Sequence, residues 1–203
     1  MIILVLLPLL FLPRLVAGNI NYRSPSINHP VYAVTPPVSL GIRAKRDFAT
    51  QRNLTFTHGV ASGDPYADSV ILWTRAVPEG VDVDAHVYVG EKETCVRWEV
   101  AEDEGFGGVV DEGETVTSGE VDWTVKVEVT GLRAKTRYWY RFGGCAGGWG
   151  EVGRTKTLPE EGDEVEEGVR FAVYSCSNFA EGWFNAYGMS ARKGSVDYVL
   201  HLG

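Results

Sequence analysis

Hydrophobic and polar positions alternate most strictly in "VDWTVKVEV", Val121 to Val129. There Val121, Trp123, Val125, Val127 and Val129 fall on one side and Asp122, Thr124, Lys126 and Glu128 on the other. Successive side chains of a strand point to opposite faces, so this period of two predicts a strand with one dry and one wet face. The next stretch repeats it: after a turn at Gly131-Leu132 a new strand starts near Thr136, with Tyr138, Tyr140 and Phe142 on one face. Runs rich in branched and aromatic residues predict further strands at Asp68 to Ala76, Asp84 to Gly90, Cys95 to Val100 and Glu151 to Leu158. Asp64-Pro65 and Pro78 bound the first of these. Between Glu102 and Ser118 the chain is acidic and holds Gly105, Gly107, Gly108 and Gly113, which predicts a long irregular connection.

About seven short strands in roughly a hundred residues, with turn signals between them, predict an immunoglobulin- or fibronectin III-like β-sandwich over residues 52–158. The segment 159–168, "PEEGDEVEEG", carries six acids and no base. It reads as a solvated acidic linker and a domain boundary; its acids lack the fixed spacing of a calcium loop. From Val169 the pattern changes. A strand at Val169 to Tyr174, a short helix at Ala180 to Arg192 and a strand at Asp197 to Leu202 predict a βαβ unit. Such a unit belongs to a parallel sheet covered on both faces, which one unit cannot provide for itself. Residues 169–203 therefore read as the start of an incomplete α/β domain. The class is mainly β, a sandwich followed by the first βαβ unit of a truncated α/β domain.

Charge and termini narrow the picture. The 203 residues are 44% hydrophobic and 23% charged with a net charge of −8, an ordinary globular composition whose acidity argues against nucleic-acid binding. Residues 1–18 predict a signal peptide: Ile2 to Leu12 is too short for a core of ~30 Å, and Val16 and Gly18 suit the −3 and −1 positions of a cleavage site. No membrane span is expected after cleavage. No Arg-Arg pair is present, which favours a Sec-type route over twin-arginine export. Residues 19–51, with Pro30, Pro36 and Pro37, read as an extended lead-in. Asn53-Leu54-Thr55 is a glycosylation sequon. The expected location is secreted, extracellular or cell-wall associated.

Three cysteines leave one thiol over. Cys95 and Cys145 are candidates for a disulfide across the sandwich in an oxidising compartment. Cys176 stands at the end of the strand that opens the second unit, in Ser175-Cys176-Ser177-Asn178. Ligands gather outside the carboxyl ends of strands in open α/β folds. The residues alone leave three readings: a nucleophile with no evident base, a metal ligand, or a thiol simply buried. The last has the better claim and the metal comes second. Of the histidines, His58 and Asp64 read as turn chemistry, His86 as a packed strand residue, and His29 as part of the lead-in.

"GVASGDP" followed by "VILWTR", and later "FAVYSCSNFAEGWFNAY", resemble the PhoD-like alkaline phosphatases and phosphodiesterases, from about Leu54 to Gly203. "LRAKTRYWY" is similar to the fibronectin III corner, which implies that Leu132 and Tyr138 pack. The family resemblance implies a secreted hydrolase of small phosphate mono- or diesters that works with ferric iron and calcium. It implies that Cys176 is an iron ligand, with Asn178 and His201 supporting it. The family's later ligands follow the position of Gly203, so the 203-residue chain is expected to bind no catalytic metal, to supply no catalytic residue itself and to hydrolyse nothing. Its partner would be the missing catalytic domain of the same polypeptide. The rival expectation is a secreted, non-catalytic binding module with a vestigial tail.

Overall fold

A computed structural model describes residues 52–82, 93–165, 168–178, 180 and 183–203. The expected signal peptide, the lead-in with His29, the strand at 84–90 with His86, and the linker's Glu166 and Glu167 lie outside the described residues. The strands run β1 Leu54–Thr55, β2 Val60–Gly63, β3 Ser69–Arg75, β4 Val77–Pro78, β5 Thr94–Ala101, β6 Val109–Thr117, β7 Thr124–Thr130, β8 Arg137–Gly144 and β9 Gly147–Lys156. After them come β10 Phe171–Tyr174, helix α1 Asn185–Lys193 and β11 Tyr198–His201.

A three-stranded antiparallel sheet, β2-β3-β7, packs on a four-stranded one, β6-β5-β8-β9; β1 and β4 form a short ladder beside them. The dry face of each strand meets the other sheet. Val70 and Leu72 from β3 and Val125, Val127 and Val129 from β7 are buried against Val96, Trp98 and Val100 from β5 and Tyr138, Tyr140 and Phe142 from β8. Each such side chain contributes ~1.5–3 kcal/mol by leaving water. Leu132 is buried beneath the corner, and the Tyr138 hydroxyl accepts a hydrogen bond from the Arg133 backbone N–H at 2.9 Å. That bond ties the corner to the strand that follows it.

Three expectations are corrected. Residues 102–118 are not an irregular connection: after a turn whose Asp103 carboxylate accepts from the N–H groups of Gly107 and Gly108, residues 109–117 form β6 and pair with β5. Gly113 lies opposite Trp98, and a Cβ there would come within 2.3 Å of the indole, so glycine suits a strand crossed by a large ring. The alternating strand begins at Thr124, not Val121. Asp122 and Trp123 take left-handed backbone angles (φ 53° and 57°), so Val121 is left exposed while Trp123 is fully buried from outside the strand. The last strand of the sandwich starts at Gly147 rather than Glu151.

The linker is exposed at residues 160–165 and is tied to the sandwich by a surface ion pair. Asp163 pairs with Lys135 at 3.3 Å and accepts the Glu160 N–H, and these hydrogen bonds hold its carboxyl below the usual range.

Candidate functional site

β10 and β11 pair in parallel, in the register Phe171↔Tyr198, Ala172↔Val199, Val173↔Leu200 and Tyr174↔His201. Parallel strands deliver their carboxyl ends side by side, which brings Ser175–Asn178 next to Leu202 and Gly203. The connecting helix touches the pair through Tyr187, which meets Tyr174 of β10 and His201 of β11. It ends at Gly194, whose left-handed conformation (φ 60°) lets its N–H reach Ser190 O, with Arg192 and Lys193 against the negative end of the dipole. It starts at Asn185 rather than Ala180.

Cys176 sits where the chain leaves β10. Its backbone is left-handed (φ 57°), its N–H donates to Gly203 O, and Leu202 N–H donates to Tyr174 O at 2.9 Å. These bonds lash the two strand ends together. The thiol is free and exposed, with Ser175 Oγ at 3.4 Å. Among the described residues it is not the buried thiol that the residues alone favoured.

A polar chain crosses the same edge. Ser177 Oγ hydrogen-bonds Tyr187 Oη, and Tyr187 Oη lies 2.8 Å from His201 Nε2. The other ring nitrogen, Nδ1, is 3.4 Å from the Gly203 N–H. Tyr187 is itself held by an edge contact with Tyr174 (4.5 Å between centroids) and by stacking on Phe184 (5.3 Å). Sequence reasoning did not single out Tyr187, because only the parallel pairing of β10 and β11 brings it to Ser177 and His201. Asn178 has a local role: its Oδ1 accepts the Ala180 N–H at 3.0 Å, capping a turn.

The tail is fastened to the sandwich by Asp197. Its Oδ1 accepts from Lys156 Nζ of β9 at 2.9 Å, and Oδ2 accepts from the Arg170 N–H at 3.1 Å with Arg170 Nε at 3.5 Å. The Asp197 side chain is only 5% exposed. The Lys156 hydrogen bond, with the Arg170 N–H and both positive charges, outweighs burial and holds the carboxyl at about 2. Tyr198 Oη adds a bond to Thr157 O at 2.9 Å. Around these contacts lies an open cavity of about 470 Å³, lined in part by Lys135, Arg137 and Arg170.

Other candidates lie elsewhere. Cys95 and Cys145 form a disulfide, but within one sheet rather than across the sandwich: they continue the β5–β8 pairing of Val96 with Gly144. Among the described residues, one group of three metal-ligating side chains comes together, Cys95, Glu114 and Cys145; with its sulfurs bonded to each other it offers no thiolate. Asn53 is exposed and its Nδ2 donates to Glu79 at 3.3 Å. His58 is exposed beside Thr57 Oγ1 at 2.8 Å, in the turn expected of it.

Iron can be tested against this geometry. Cys176 offers one soft ligand on an accessible edge. Among the described residues, no group of three His, Cys, Asp or Glu side chains includes Cys176, so the ligands present do not complete a metal site.

A fibronectin III-like sandwich thus runs into a parallel strand pair whose carboxyl end carries a free, exposed thiol. The chain belongs to the family described as "PhoD-like phosphatase, N-terminal domain", whose model matches residues 42–159. It is 39% identical over 148 residues to alkaline phosphatase D of Bacillus subtilis (strain 168), covering 73% of this chain and 24% of that protein. A solved structure of PhoD superposes with a TM-score of 0.64 at 40% identity, over 73% of this chain and 27% of the other. A human fibronectin type III domain covers 58% of this chain at 13% identity and a TM-score of 0.38; the sandwich assignment rests on strand order instead. The chain spans about a quarter of the length of the PhoD relatives it matches.

Proposed function

We propose that this chain is the N-terminal part of a secreted PhoD-like metal-dependent phosphatase or phosphodiesterase acting on small phosphate mono- or diesters. The observation that carries the reading is the exposed Cys176 thiol at the carboxyl end of a parallel strand pair, directly downstream of a sandwich that matches the family model. In this reading Cys176 is a ligand of ferric iron, and the other ligands of iron and of calcium come from polypeptide outside these 203 residues. When bound, such ions neutralise phosphoryl oxygens and lower the pKa of a bound water. The chain's own residues shape the edge: Tyr174, Leu202 and Gly203 fix the Cys176 backbone, and Asp197 fixes the edge relative to the sandwich.

An apolar surface favours this reading over the stand-alone binding module. Phe171, Val173 and Leu200 share a sheet face by their register and alternation and are 47–58% exposed. A free-standing secreted module gains nothing from a bare apolar sheet, whereas a catalytic domain of the same polypeptide would cover it. Secretion, a cleaved leader of residues 1–18 and glycosylation at Asn53 belong to the same proposal.

The test is turnover. The 203-residue chain, supplied with iron and calcium, is expected to hydrolyse neither a phosphomonoester nor a phosphodiester above the blank, whereas the natural-length protein hydrolyses at least one of them. Turnover by the 203-residue chain would show that one donor suffices and would overturn the ligand argument.

A further inference from the structure

The geometry points to Ser177 as a hydroxyl donor to the phosphoryl group, with Tyr187 as the residue that positions it; this rests on the phosphate-ester reading above. Gly203 N–H faces His201 Nδ1, so that nitrogen is the acceptor of a neutral imidazole and Nε2 carries the proton. Nε2–H then donates to Tyr187 Oη. Tyr187 Oη, accepting from histidine, has one proton of its own to give, and Ser177 Oγ is the acceptor placed within its reach. Ser177 thereby accepts within the chain, and its own hydroxyl proton is left for a group outside it. The direction of the whole series is set by one backbone N–H at the end of β11.

Position supports the assignment. Ser177 is exposed and adjacent to Cys176, at the joint carboxyl ends of β10 and β11. A hydroxyl that must donate favours an acceptor without protons, and an anionic phosphoryl oxygen is the strong case. Tyr187 can hold this arrangement because rings pin it from two sides, Tyr174 edge-on and Phe184 stacked. Its hydroxyl joins β11 to the loop that carries Cys176.

Two measurements test this. In the 203-residue chain, nitrogen-15 resonances of the imidazole rings, with His201 assigned by His201→Gln, should show His201 as a single tautomer protonated on Nε2. Tyr187→Phe keeps the ring contacts and removes the hydroxyl, and should convert His201 to a mixture of tautomers; Ser177→Ala should leave the Nε2–H tautomer in place. Protonation on Nδ1, or ring signals unchanged in Tyr187→Phe, would overturn the series. In the natural-length holoenzyme, Ser177→Ala should lower kcat/KM by about tenfold or more with iron content unchanged, since single donors to a developing oxyanion carry ~10²–10³ at their strongest. An unchanged kcat/KM, or loss of iron in Ser177→Ala, would overturn the donor role. Iron and activity retained in Cys176→Ser would instead defeat the ligand reading, and the His201 tautomer would still report on the hydrogen-bond series by itself.

Discussion

Replacing Asp197 by asparagine should loosen the βαβ edge without touching the sandwich. The carboxylate is buried against Lys156 and Arg170 and its pKa falls from 3.8 to about 2. At ~1.4 kcal/mol for each tenfold in proton affinity, the charged form is stabilised by about 2.5 kcal/mol, or about 2 kcal/mol once solvent screening of the partners is discounted. Arg170 is 61% exposed and adds little to that figure, so most of it belongs to Lys156, which is 30% exposed. A depressed carboxyl contributes its stability above its unfolded value near 3.8 and loses it as pH falls toward about 2. The assay is hydrogen exchange read by mass spectrometry on the 203-residue chain. At neutral pH, Asp197→Asn should speed exchange of β10 and β11 amides by about 30-fold, the equivalent of 2 kcal/mol, and leave β5 and β8 unchanged. After correction for intrinsic rates, the gap between parent and variant should close as pH falls from 3.8 toward 2. Unchanged exchange in β10 and β11, or an equal loss in β5 and β8, would refute the reasoning.

Two further outcomes concern the sandwich. Tyr138→Phe leaves the Arg133 N–H without its acceptor and should cost about 1–3 kcal/mol in urea unfolding with the slope unchanged. Reducing and alkylating Cys95 and Cys145, which lie 50 residues apart, should cost up to about 4 kcal/mol by the chain-entropy account. A loss below ~1 kcal/mol would mean that the β5–β8 pairing needs no covalent support.

The fold was legible wherever side chains kept a strict alternation. Val125, Val127 and Val129, and Tyr138, Tyr140 and Phe142, bury the faces that their spacing predicts. β6 was not legible, because Asp111, Glu112, Gly113 and Glu114 look like loop, and only the register against β5 shows why Gly113 lies under Trp98. Val121 misled for the opposite reason: it continues the alternation, but Asp122 and Trp123 break the strand with left-handed backbone. At the site, Cys176 could be located at a strand end from sequence. The Ser177–Tyr187–His201 chain could not, since it depends on a helix length and a parallel register that no local pattern encodes. Nor could the role of Asp197, whose partner Lys156 lies 41 residues away on the far side of the linker.

The central claim is that Cys176 is the chain's contribution to a ferric site. The most direct measurement is the iron content and visible absorption of the natural-length protein, beside its Cys176→Ser variant. Bound iron with a thiolate charge-transfer band, both lost on substitution, is the predicted result. Iron retained with an unchanged spectrum in Cys176→Ser, or a protein that is active without iron, would contradict it.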